Sequence, residues 1–301
     1  MQPLHGAIIR TLLYYDIWHH PLSAREVFRF LPANSLSLDE LRRQLQADQE
    51  EGRILEHRGY YFVPGKTPAI VDQRDAKERH AHSLWRMARL SMHVIRRFPF
   101  VRAVFVSGDL SKNATTRESD VDFFVITEPD RLWIARTLLI LFKKIFLLNS
   151  KKYFCLNSFA TADHLTLDEQ NIFLATEIAT LKPLYNSALF HRYLEANSWI
   201  REYFPNFSLA DVDLPRVCNR RSHAQKVLEF PFRFIPAGRL DSYLLRVMER
   251  TWARRYPVYD EATRKRIFRC TKSESRAYAG NFQEKILALY ARRLKEFGVE
   301  S

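Results

Sequence analysis

Asp120 and Asp122 stand one residue apart at the head of the apolar run "VDFFVIT". In a strand, alternate side chains share a face, so both carboxylates point one way while Val121 and Phe123 point the other. Side by side they repel unless a cation lies between them. Two oxygen ligands are what Mg²⁺ takes from a protein when water and substrate phosphates supply the rest. A solvent-facing strand can carry the same D-x-D, so the residues upstream matter. Gly108 ends the preceding apolar run, 12 residues before Asp120. A position without a side chain lets a phosphate reach backbone amides. Behind it come Ser111, Lys112, Asn113, Thr115, Thr116 and Arg117, all able to donate to phosphate oxygens. Strand, glycine, polar loop and D-x-D strand together suit a metal triphosphate.

Elements must hold these residues in place. "VRAVFVS" (101–107) and "VDFFVIT" (121–127) are β-branched and aromatic, and predict strands. A helix over 131–148 and a third strand in "YFCLNSFAT" (153–161) follow. Thr166 and Glu169 have capping-box spacing and predict a helix running to Leu181, before Pro183. Residues 72–98 read as one long helix ending at Pro99. Upstream, 7–18 has helical spacing, and Ser23/Glu26 and Ser37/Glu40 predict capped helices over 24–31 and 38–51. "RILEH" and "YYFVP" flank Arg58-Gly59 as a tight hairpin. The expected architecture is α+β or α/β and multidomain. A winged helix-turn-helix module (1–66) precedes a mixed sheet with helices (70–185) and a basic, mainly helical C-terminal region (186–301).

Composition narrows the function classes. The 301 residues hold 47% hydrophobic and 27% charged side chains, as a water-soluble globular chain does. Cys155, Cys218 and Cys270 are odd in number and lack C-x-x-C spacing, so neither a disulfide frame nor a zinc site is expected, and a reducing cytoplasmic setting fits. His80 and His82 are about 200° apart on a helix and cannot share a ligand face. The most lipid-like segment, "WIARTLLILFKKIFLL", is broken by Lys143 and Lys144 and falls short of the ~20 residues a span needs. Net charge is +13, and residues 216–301 carry 20 basic against 9 acidic side chains. That excess favours an anionic partner. Tyr256, Tyr259, Phe268 and Tyr278, interleaved with Arg264, Lys265 and Arg266, could stack on bases or form core. The helix "LDELRRQLQADQEE" sets Arg42 and Arg43 against five acids, so specific DNA binding by the winged-helix module is not expected.

The strand, the glycine, the dozen-residue spacer and the D-x-D resemble the signature of the DNA polymerase β-like nucleotidyltransferase superfamily. "TLLYYDIWHHPLS", "RLWIAR" and "ANSWIREYFPN" also resemble uncharacterised bacterial nucleotidyltransferase-domain proteins with an N-terminal winged-helix module. The resemblance implies transfer of a nucleoside monophosphate from an NTP to an acceptor, with pyrophosphate leaving. Asp120 and Asp122 would hold Mg²⁺ or Mn²⁺, and Ser107, Gly108, Lys112 and Arg117 would cradle the phosphates. The acceptor would be anionic, an RNA or a phosphate-bearing molecule. Two residues depart from the pattern. Asp109 stands where the family has Ser, and the strand expected to supply a third carboxylate offers Asn157 instead. Asp163 and Glu177 are the nearest substitutes, although Glu177 could equally pair with Arg136 or a lysine. Arg136 and Lys143, seven apart on one helix, are phosphate neighbours or structural residues. The alternatives are a catalytically inactive nucleotide- or RNA-binding member of the same fold, and a winged-helix transcription regulator.

Overall fold

The computed structural model describes residues 3–33, 36–211, 214–277 and 282–299. Helices α1 (Pro3–Asp16), α2 (Ala24–Arg29) and α3 (Leu38–Glu50) accompany strands β1 (Leu22–Ser23), β2 (Leu55–His57) and β3 (Tyr60–Phe62), which form an antiparallel sheet in the order β1-β3-β2. Both N-terminal capping boxes are formed. The Ser23 and Ser37 hydroxyls accept from the Glu26 and Glu40 amides, and each glutamate reaches back to its serine's N–H. Arg58 and Gly59, at φ +56° and +82°, make the two-residue turn between β2 and β3. Glu26 has a second role. Its carboxylate takes two hydrogen bonds, 2.8 and 2.9 Å, from Arg74 on the long helix α4 (Ala69–Ile95). Arg74 also donates to the Pro21 carbonyl, so one side chain ties the N-terminal elements to α4.

After α4 come β4 (Val101–Ser107), α5 (Gly108–Ser111), β5 (Asp122–Thr127), α6 (Leu132–Phe146), β6 (Cys155–Thr161), α7 (Ile172–Thr180) and β7 (Lys182–Tyr185). Then follow α8 (Ser187–Ala196), α9 (Ile200–Tyr203), α10 (His223–Glu229), α11 (Ala237–Arg255), α12 (Glu261–Ile267), β8 (Phe268–Cys270), β9 (Glu274–Ala277) and α13 (Phe282–Glu296). The chain is thus a mixed α+β protein with a six-stranded sheet ordered β7-β4-β5-β6-β9-β8. β5 and β6 run parallel, joined by the α6 crossover, and the other pairings are antiparallel.

Strand alternation divides the core between two faces. Val104, Val106, Phe123 and Val125 pack with α4 and α6. Ala103, Phe105, Phe124 and Ile126 pack with α7, α8 and α13, and this cluster runs on into Ile8, Leu13, Leu41 and Leu45. Helices α1–α3 therefore share a core with the central sheet. Phe105 and Phe123 are fully buried, one on each face, each contributing about 2–3 kcal/mol of apolar burial. No helix among the described residues is long and apolar enough to cross a membrane.

One expectation needs correction. The Thr166–Glu169 spacing does not start a helix; α7 begins at Ile172, capped by Asn171, whose side chain accepts from the Leu174 amide at 3.0 Å. The buried Asn197 side chain ties down the non-helical stretch 165–167, accepting from the Leu167 N–H at 2.9 Å and donating to the Leu165 carbonyl at 2.8 Å. The mainly helical C-terminal region also carries two strands. Its β8–β9 hairpin extends the central sheet from the edge of β6, pairing Ser158 with Arg276. β7 was not foreseen; it is an edge strand, where Pro183 is tolerated.

Candidate functional site

β4 and β5 bring the two halves of the motif together, pairing Ser107 with Asp122. The next residue, Gly108, has φ +66°, and a Cβ built there would lie 2.6 Å from Asp122 Oδ2. Glycine is required twice over, by the left-handed backbone and by the carboxylate resting against it. Asp120 lies just ahead of β5. The Val121 N–H donates to the Lys152 carbonyl and the Val121 carbonyl accepts from Cys155, which keeps this stretch paired. Val121 and Phe123 are buried, while Asp120 and Asp122 are half-buried beside them.

Burial, first, and then the negative charges of Asp109, Asp120 and Glu177 push the Asp122 carboxyl up to about 6, against a hydrogen bond from the Cys155 thiol. Four carboxylates thus share one field. Burial, and then the Asp122 charge, raise the Cys155 thiol far above its usual range. Lys143 is held below the usual lysine range mainly by burial, with Asp120 opposing that shift. Asp109 has an internal partner, since Ser119 Oγ donates to it at 2.6 Å. Glu177 pairs with Lys112 Nζ at 2.6 Å, and the same ammonium lies 3.3 Å from the Gly108 carbonyl.

Other expected residues fall elsewhere. Arg136 lies on α6, against the face opposite Glu177. Its guanidinium carbon lies 5.0 Å from the Phe159 ring and 5.6 Å from that of Trp252, and burial lowers its pKa to about 10. It is a residue of an aromatic pocket, not a neighbour of the Glu177 carboxylate. Asp163 follows the far end of β6 and is exposed. Asp122 pairs with Cys155 and Thr127 with Thr161, so Asp163 is a strand length, about 20 Å, from the D-x-D. It cannot be the third carboxylate. Arg117 is exposed, and its carbonyl accepts from Lys152. Asn157 is the extra residue of a β-bulge, because the register passes from Phe123–Leu156 directly to Phe124–Ser158. With Ser107, Glu177, Glu274 and Arg276 it lines a cavity of about 40 Å³, room for a water or two but not for a nucleotide. The buried Ser107 hydroxyl has no hydrogen-bond partner among the described residues.

Cys155, Ser119 and Glu274 enter this neighbourhood without having been singled out in the sequence. Cys155 lay within the expected third strand, but its alignment with Asp122 depends on the sheet register. Ser119 is ten residues from Asp109, and Glu274 arrives through a hairpin, so neither had a local signal. Among the described residues no three His, Cys, Asp or Glu side chains are grouped to hold a metal ion. Asp120 and Asp122 fit a cation that needs only one or two protein carboxylates, with phosphate and water completing its shell.

In the basic C-terminal part, Arg221 pairs with Glu229, Arg269 with Asp168 at 3.0 Å, and Arg293 with Asp16 at 2.5 Å. Phe268 is buried and stacks on Tyr256 at 4.7 Å, so these rings pack on one another. Tyr278 and the side chains of Lys265 and Arg266 lie outside the described residues. In comparisons with known proteins, no family model, no curated protein and no solved structure matches the chain.

Proposed function

We propose that the chain is a metal-dependent nucleotidyltransferase that moves a nucleoside monophosphate from an NTP to an acceptor and releases pyrophosphate. The observation that carries this reading is the packing of the Asp122 carboxylate against the bare backbone of Gly108, with Asp120 beside it. Asp120 and Asp122 hold the Mg²⁺ or Mn²⁺. When bound, the metal neutralises triphosphate charge. Lys112 stands at the loop after Gly108, its ammonium between the Gly108 carbonyl and the Glu177 carboxylate, and supplies the cation for a phosphate. α1–α3 with the β1-β3-β2 sheet serve as a winged helix-turn-helix module.

A second reading, nucleotide binding without turnover, draws support from two residues. Asn157 cannot take a proton near neutral pH, and Glu177 is already engaged by Lys112. Pyrophosphate release with Mg²⁺ and each of the four NTPs, run beside thermal shift with a non-hydrolysable analogue, separates the readings. Release that disappears in Asp122→Asn supports transfer. A nucleotide-dependent shift without release supports the second reading, and neither response removes both.

A further inference from the structure

A different feature lies on the β7 side of the sheet. His82, Trp85, Arg86 and Arg89 recur on α4 at the spacing that lines one helical face. Across a cavity of about 720 Å³ they meet Lys182 of β7 and Arg216. The one acid in the lining, Glu78, is engaged by Arg74 Nε at 2.9 Å. Arg86, Arg89 and Arg216 make no ion pair among the described residues. Arg86 and Arg89 of α4 and Arg216 of a separate segment thus line one concave space. Exposed arginines on a helix are usually just solvated, but these converge on a cavity of ligand size.

The groove also lies next to the site described above. Trp85 Nε1 donates to Asn113 Oδ1 at 2.9 Å, which joins the groove wall to the loop after Gly108. Lys182 pairs with Val106, one residue before Ser107, so the groove lies on the α4 face at the same end of the sheet where Asp122, paired with Ser107, occupies the other face, and a strand reaches the carboxylates around that end. Arg86 and Arg89 are neighbours on the helix surface, about 5–6 Å apart at Cβ, and suit successive charges on a chain better than a single ion. Trp85 and His82 add rings on which bases can stack.

We infer that this groove binds the backbone of single-stranded nucleic acid and leads an acceptor strand toward Asp120 and Asp122. The binding stands on the groove alone; the acceptor role rests on the nucleotidyl-transfer reading. The test is fluorescence anisotropy of the full chain with a labelled oligouridylate, without metal or NTP, across a salt series. Arg86→Ala with Arg89→Ala should weaken binding about tenfold or more. It should also flatten the log–log salt slope by about 1.4, since each phosphate contact on a single strand contributes roughly 0.7. Arg216→Ala, on the opposite wall, should weaken binding too, while Arg264→Ala stays within about twofold of the parent at the same salt. Circular dichroism checks that each variant is folded. No binding by the parent at low salt, unchanged binding by the folded double variant, or an equal loss in Arg264→Ala would overturn the inference. Displacement by a mononucleotide at equal phosphate concentration would also overturn it, reassigning the groove to a small phosphate. Because metal and NTP are absent, failure here leaves the pyrophosphate result untouched. A chain that binds RNA but releases no pyrophosphate keeps the groove and loses the acceptor role.

Discussion

Asp122 is held at a cost. In the unfolded chain its carboxyl titrates near 3.8, and in the fold near 6. Below pH ~4 both states are protonated and the group is neutral to stability. Between ~4 and ~6 the unfolded chain loses its proton first, so stability falls as pH rises, and above 6 the loss is complete. Two pKa units correspond to about 3 kcal/mol. Asp122→Asn should therefore raise the Tm at pH 7 by several degrees and flatten its change between pH 4 and 6. Differential scanning calorimetry across that range checks it; an unchanged Tm at pH 7 would mean the carboxylates are not crowded. Gly108→Ala should act oppositely. It places a Cβ against Asp122 Oδ2 at a left-handed position, costing about 1–2 kcal/mol from backbone conformation alone. Urea melts should show the destabilisation, with pyrophosphate release lost as well. The D-x-D, the glycine and their spacing were legible because they are local. The Ser119–Asp109 and Cys155–Asp122 contacts were not, since each depends on how separate segments come together.

Among the elements, the join between the N-terminal helices and α4 rests on Arg74 and Glu26. Burial works against the Glu26 carboxylate, but the Arg74 hydrogen bonds and charge outweigh it and lower its pKa to about 2. That depressed pKa gives stability present above about pH 4.5 and lost as pH falls toward 2. Arg74→Ala leaves the carboxylate without its partner and should cost about 3–5 kcal/mol. The double variant with Glu26→Gln should recover part of that loss, and chemical denaturation of both measures it. Full additivity of the two substitutions would show that the pair is not coupled. Legibility at this scale followed local signals. The two serine caps, the Arg58-Gly59 turn and the long strands have short-range chemistry that fixes them. β7 and the β8–β9 hairpin are three or four residues each and gain their hydrogen bonds from distant strands. Capping spacing at Thr166 was outcompeted by Asn171 and by the buried Asn197.

For the whole molecule, the chain closes on itself. Tyr290 on α13 donates to the Arg10 carbonyl at 3.2 Å, Arg293 pairs with the buried Asp16, and Leu294 joins the core cluster of α1. Removing residues 282–301 should expose that cluster, and limited proteolysis should then cut within α1 faster than in the full chain; equal rates would show that α1 does not depend on α13. The charge surplus was legible in sequence, but its use was not. Part of it lies in ion pairs, while Arg86 and Arg89 of α4 line one groove with Arg216 near the D-x-D end of the sheet. Everything in this arrangement turns on whether Asp120 and Asp122 hold a metal nucleotide. Electron paramagnetic resonance of free Mn²⁺, titrated with the full chain and a non-hydrolysable NTP analogue, tests that most directly. The parent chain should deplete the free-Mn²⁺ signal in a nucleotide-dependent way, and folded Asp122→Asn should not. Equal depletion by the two proteins would contradict that.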